Sequence, residues 1–138
     1  QTVTPCSGGS APSPFGLEFN PVNDKLYNAC APSGSVDTAA IYLAHAGGLS
    51  LIANRTIDSG GGDGGGGIAI DTTNGNAFFT NSASNSVTVI GGSSDNVVGW
   101  AATGYDPFGI RADPTTGRIY VANRSGNTLT VLPNSFMP

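Results

Sequence analysis

The sequence predicts an all-β fold built from one small sheet repeated along the chain, and three observations carry the prediction. Within residues 106–132, Gly109-Ile110-Arg111-Ala112, Arg118-Ile119-Tyr120-Val121-Ala122 and Thr128-Leu129-Thr130-Val131-Leu132 are separated by Asp113-Pro114-Thr115-Thr116-Gly117 and Asn123-Arg124-Ser125-Gly126-Asn127. Runs rich in β-branched and aromatic residues read as strands, and the Asn, Asp, Pro and Gly clusters supply the turns between them. The same arrangement occurs twice more upstream. Composition agrees: 21 Gly and 9 Pro in 138 residues, with 10% charged residues, disfavour helices and suit short strands joined by tight turns.

Aligned on the glycine that opens the first strand, the repeats begin at Gly16, Gly67 and Gly109, at spacings of 51 and 42 residues. A propeller blade of four strands occupies about 40–45 residues. The first repeat therefore carries nine extra residues, expected in the turn at 33–38 or in the glycine run at 60–67. Second strands follow at Leu26-Tyr27-Asn28-Ala29, Ala77-Phe78-Phe79-Thr80 and Ile119-Tyr120-Val121-Ala122, and third strands at 39–44, 86–90 and 128–132. Fourth strands follow at 51–57 and 96–102, which gives one domain, 1–138, with blades at about 14–58, 64–104 and 106–132. The third repeat lacks a fourth strand, because residues 133–138 are too few and begin and end in proline. Gln1-Thr2-Val3-Thr4-Pro5, followed by a Gly/Ser/Pro linker into Gly16, reads as a fourth strand leading into the next blade.

The segments PFG, DPTTGRIYVAN and GNTLTVL of the third repeat resemble the YVTN repeat, one blade of a β-propeller. The resemblance implies a ring in which the N-terminal strand completes the final blade. Closed propellers take about four to eight blades, and three alone leave two apolar blade faces in water. The expectation is a six-bladed ring from two chains, in which Thr2, Val3 and Thr4 of one chain complete the last blade of the other and remove its open edge. A head-to-tail filament and a fragment of a larger propeller are the alternatives. At the middle of the first strands stand Glu18, Ala69 and Arg111, so Arg111 is expected beside Glu18 of the partner subunit across the junction.

The formal charge of −4 and five scattered basic residues argue against nucleic acid, whose phosphates need clustered Lys and Arg. No apolar run approaches the ~20 residues of a membrane span. The lack of an initiator Met makes Gln1 read as a processed N-terminus, and two Cys with two Asn-X-Ser/Thr sequons lean towards a secreted protein.

Cys6 and Cys30 are the only cysteines and allow one pairing, a disulfide tying the entering segment to the first blade. Asn54 and Asn123 head the sequons. Asn54 is expected on an outer strand facing solvent, and Asn123 at a turn that its side chain holds. Trp100, the only tryptophan, reads first as blade packing and second as a platform for stacking a sugar. Propeller lectins repeat such aromatics in every blade, and the other outer strands here carry none. His45 is the only histidine and sits in a loop-like context without a nucleophile elbow. The glycine run 60–67 lacks the Lys-Ser/Thr of a phosphate loop and reads as a flexible connection. Asp63, Asp71, Asp95, Asp106 and Asp113 match no EF-hand spacing, and turn formation accounts for Asp71 and Asp113. No metal or cofactor is expected.

With one His and no dense cluster of acids, the sequence reads as a secreted, non-enzymatic binding or structural module that assembles with itself, with carbohydrate the leading ligand class. A propeller filament and a lactonase- or lyase-like propeller enzyme are the alternatives.

Overall fold

The computed structural model of the chain describes residues 1–6, 10–33, 36–58 and 65–135. These hold eleven strands: β1 Ser10–Asn20, β2 Lys25–Ser33, β3 Asp37–His45, β4 Gly48–Asp58, β5 Gly65–Ile70, β6 Ala77–Asn81, β7 Ser86–Ile90, β8 Val97–Ala102, β9 Pro107–Asp113, β10 Arg118–Asn123 and β11 Thr128–Pro133. They form antiparallel sheets ordered β1-β2-β3-β4, β5-β6-β7-β8 and β11-β10-β9. Two blades have four strands and the third has three, as the repeats predict.

The turn residues act locally. Asp71 Oδ1 accepts from Thr73 N at 2.9 Å and Asp113 Oδ1 from Thr115 N at 2.9 Å. Gly75 and Gly117 then close these turns at φ of 76° and 67°, a region that glycine enters without strain. At the far end of the second strands, Asn81 Nδ2 donates to Ser86 Oγ and Thr88 Oγ1, and Asn123 Nδ2 to Thr128 Oγ1 and Thr130 Oγ1. One amide thus ties two positions of the neighbouring strand in both repeats. In the first blade Cys30 stands at this corner instead.

Period-two alternation sends each blade's side chains to two neighbours. Tyr27, Ala29, Ala39 and Ile41 of the first blade pack on Ile68, Ala77, Phe79 and Ile90 of the second, with the Tyr27 and Phe79 rings edge to face at 6.3 Å. Ala69, Phe78, Val87 and Val89 leave the second blade's other side and pack on Ile110, Ile119 and Val121 of the third. The third blade repeats the pattern with none of the described blades packed against its other face. Tyr120, Leu129 and Val131 take the register positions of the fully buried Phe78, Val87 and Val89, yet are 38%, 73% and 48% exposed.

Where the sheets converge, side chains do not fit. A Cβ on Gly67 would lie 3.0 Å from Ile110 Cγ2 and 3.0 Å from Phe108 O. Gly65, Gly66 and Gly67 are therefore the start of β5, which corrects the reading of that end of the glycine run as a flexible loop. The rest of the run, Asp63 included, lies outside the described residues.

Register locates the nine extra residues of the first repeat. Tyr27 faces Ile41 fourteen positions on, whereas Phe78 faces Val89 and Tyr120 faces Val131 eleven on, so three enter between β2 and β3. Two enter between β3 and β4, where Ile41 faces Ala53 and Val89 faces Gly99. The remaining four fall between Ala53 and Gly67. Both connections named from the sequence share the insertion, and the β3–β4 hairpin takes a part that it did not reveal.

Within the single chain, residues 1–6 form no strand. Gln1 instead clasps the β3–β4 hairpin, its Oε1 accepting from Leu49 N at 2.9 Å. A disulfide joins Cys6 to Cys30, with the two Cα atoms 5.6 Å apart.

Candidate functional site

β1, β5 and β9 run side by side along the inner edge of the three sheets. A cleft of about 570 Å³ opens there, lined by Glu18 and Phe19 of β1, Ile68, Ala69 and Ile70 of β5, and Arg111 and Ala112 of β9, with Pro21 and Thr72 from the adjoining turns. The alternation that buries Ile110 against the second blade turns its neighbour Arg111 outward. Glu18 is half-buried and Arg111 exposed, and the small buried Ala69 between them leaves the room. One guanidinium N–H of Arg111 is held by Ile110 O at 2.9 Å. The salt bridges among the described residues are Lys25–Asp95 and Arg124–Asp106. Glu18 and Arg111, expected side by side across a subunit junction, also line one cleft within a single chain.

The arrangement places one acid and one guanidinium in an otherwise largely apolar cleft. A carboxylate there can accept a proton from water, and a guanidinium can bind an anionic group or a developing oxyanion.

A second cleft of about 380 Å³ lies at the rim between the first two blades, lined by Thr56, Ile57, Asp58, Ser84, Ser86, Thr88, Val97 and Trp100. Trp100 is 70% exposed, which corrects its first reading as blade packing. Beside this cleft stands a pair that the sequence reading missed. Asp37 and Asp58 face each other across β3 and β4, and both are buried. Burial, then the Asp58 charge, pushes the Asp37 carboxyl up to about 6.

The other singled-out residues have structural partners. Asn123 is buried and its amide nitrogen donates to Thr128 and Thr130, so its side chain holds the turn as expected, and this leaves no room for a glycan on its sequon. Asn54 is exposed on β4. His45 Nε2 meets Ser50 Oγ at 2.8 Å and its Nδ1 accepts from Gly47 N, so it shapes a hairpin. Asp95 pairs with Lys25 at 2.6 Å. Arg124 and Ser125 hold the Asp106 carboxyl below its usual value. Thr2 and Thr4 are exposed and Val3 half-buried. Among the described residues no three His, Cys, Asp or Glu gather into a metal-binding group, and no helix is long and apolar enough to cross a membrane.

No family model and no curated protein matches the chain. Solved structures do. A Bacteroides fragilis protein with the provisional name 6-phosphogluconolactonase is similar at a TM-score of 0.75 and 22% identity, over 91% of this chain and 35% of its own. Hydrazine synthase of Kuenenia stuttgartiensis is similar at 0.73 and 16%, over 98% of this chain and 47% of its own. A gluconolactonase of Xanthomonas campestris is similar at 0.60 and 22%, over 93% of this chain and 39% of its own. The likeness establishes a β-propeller fold, of which this chain spans between about a third and a half of each neighbour's length. Two of these neighbours carry lactonase names, which stands against the non-enzymatic expectation drawn from the shortage of His and clustered acids; at 22% identity the likeness itself shows the fold.

Proposed function

We propose that the chain forms part of a lactone-hydrolysing propeller whose reaction site is the axial cleft. The observation that carries this reading is the joint placement of Glu18 and Arg111 around Ala69. In the proposed reaction the Glu18 carboxylate takes a proton from water while the water oxygen bonds to the lactone carbonyl carbon. Arg111 stabilises the resulting oxyanion. The ring C–O bond then breaks, the Glu18 proton passes to the departing alkoxide, and an open-chain hydroxy acid is released. A sugar lactone also satisfies the carbohydrate class expected from the sequence, and Arg111 would favour a phosphorylated one. Acid release from 6-phosphogluconolactone and from gluconolactone, corrected for spontaneous opening, tests the reading; no acceleration of either by the folded chain overturns it.

The exposure of Tyr120, Leu129 and Val131 favours a companion reading. These residues repeat the chemistry of buried blade faces, so another blade belongs against them. We assign that place to the first blade of a second copy. Its residues 1–6 are stapled by Cys6 to Cys30 and would bring Thr2, Val3 and Thr4 to the open edge of β11. The result is a six-bladed ring of YVTN-type repeats in an oxidising, extracellular setting. Light scattering at twice the 13.8 kDa chain mass supports it, and a folded monomer refutes it.

A further inference from the structure

The geometry points to a second binding site, a pyranose-sugar cleft at the rim between the first two blades, separate from the axial cleft. Its construction begins with Thr88, whose Oγ1 donates to Ile57 O at 2.6 Å and so docks the end of β4 against the second blade. Trp100 faces Thr88 across the β7–β8 pair and projects on the same side. The indole therefore stands over the junction while remaining 70% exposed. A side chain that large normally buries about 150–250 Å² in a core. Here it flanks a cleft of about 380 Å³, within the ~300–1,000 Å³ range of ligand sites.

The rest of the wall determines the ligand class. Asp58 supplies a buried carboxylate from the end of β4, while Thr56, Ser84 and Ser86 supply hydroxyls. Ser84 Oγ lies 2.9 Å from Ser86 Oγ, and Asn81 Nδ2 donates to Ser86 Oγ, so these hydroxyls are already ordered. A pyranose presents an apolar C–H face that stacks on indole and an equatorial rim of hydroxyls that donate to a carboxylate. Among the described residues no cationic side chain lines the cleft, and its one acidic side chain, Asp58, disfavours anionic ligands. Neutral sugars fit this wall and phosphorylated ones do not. The axial cleft with Arg111 has the opposite preference, and sugar binding at the rim stands whether or not that cleft hydrolyses lactones.

Trp100 is the only tryptophan in the chain, so its emission reports on this cleft alone. Titration with the methyl glycosides of glucose, galactose, mannose and N-acetylglucosamine should give, for at least one of them, a saturable emission change with a Kd on the order of 1 mM. Glucose 6-phosphate should produce a change at least roughly tenfold weaker than glucose. Saturation-transfer NMR needs no tryptophan and should show binding lost in Trp100→Ala, an exposed position where the fold tolerates the change. Asp58→Asn should weaken binding about tenfold, and if that variant does not fold, the Trp100→Ala result decides. No saturable change with any of the four glycosides, or binding retained in Trp100→Ala, overturns the assignment.

Discussion

Replacing Asp37 by Asn should stabilise the chain at neutral pH and remove a pH dependence that the native protein carries. Asp37 is 1% exposed, and its cross-strand partner is another carboxylate, Asp58. Its carboxyl is raised from 3.8 to about 6 in the fold. A raised acid favours the folded state when protonated, so its contribution is fully present below about pH 4 and is lost as the pH rises through about 6. The shift corresponds to at most about 3 kcal/mol, and the effective dielectric of real protein sites, higher than that of a dry interior, reduces this to roughly 1–2 kcal/mol. Asn keeps the shape and carries no charge. Urea unfolding of both proteins with the disulfide intact, at about pH 4 and about pH 7, measures the difference. The variant should match the native chain at the lower pH and exceed it by about 1–2 kcal/mol at the higher. Parallel profiles, or a variant less stable at neutral pH, would refute the argument that Asp37 is held against its own ionisation. Asp106 and Asp113, both lowered, act in the opposite sense below the ordinary carboxylate value, outside this window.

Further outcomes follow from the same geometry. Replacing both Cys6 and Cys30 by Ser opens a loop of sequence separation 24 and should lower stability by about 3.5 kcal/mol on the loop-entropy relation; thermal melts of variant and native chain check this. Lys25 ties the first blade to Asp95 and to Gly92 O of the second, and Lys25→Ala should cost about 2 kcal/mol in urea unfolding, since it strands a partly buried carboxylate. In a glycosylating secretory host, intact mass with peptide mapping should find sugar on Asn54 and none on Asn123; sugar on Asn123 would contradict its buried corner.

What could be read in the sequence was what acts locally. Asp71 and Asp113 fold their turns through their own neighbours' amides, so the hairpins and blade boundaries were visible in the residues themselves. The absent fourth strand of the third blade was visible for the same reason. The disulfide needed only the count of cysteines. The Asp37–Asp58 pair was hidden because it depends on strands of the first blade running longer than their counterparts, across register shifts at Asp37/Thr38 and Ile41/Tyr42. Trp100 shares its side of the sheet with the buried Ile90, and only the junction of two blades decides that it stands in water. Thr2-Val3-Thr4 has strand-forming residues, but a strand needs an edge to pair with, and within the single chain residues 1–6 pair with none. The non-enzymatic reading weighed residue abundance, which does not reveal what the fold brings together: Glu18 and Arg111 lie far apart in the chain yet line one cleft.

The most direct test is the rate of acid release from 6-phosphogluconolactone at constant pH, measured for the native chain and for Glu18→Gln. The account predicts acceleration by the native chain and a loss of about 10²–10⁴-fold in the variant, the range of a removed general base. Equal rates for the two proteins would contradict it.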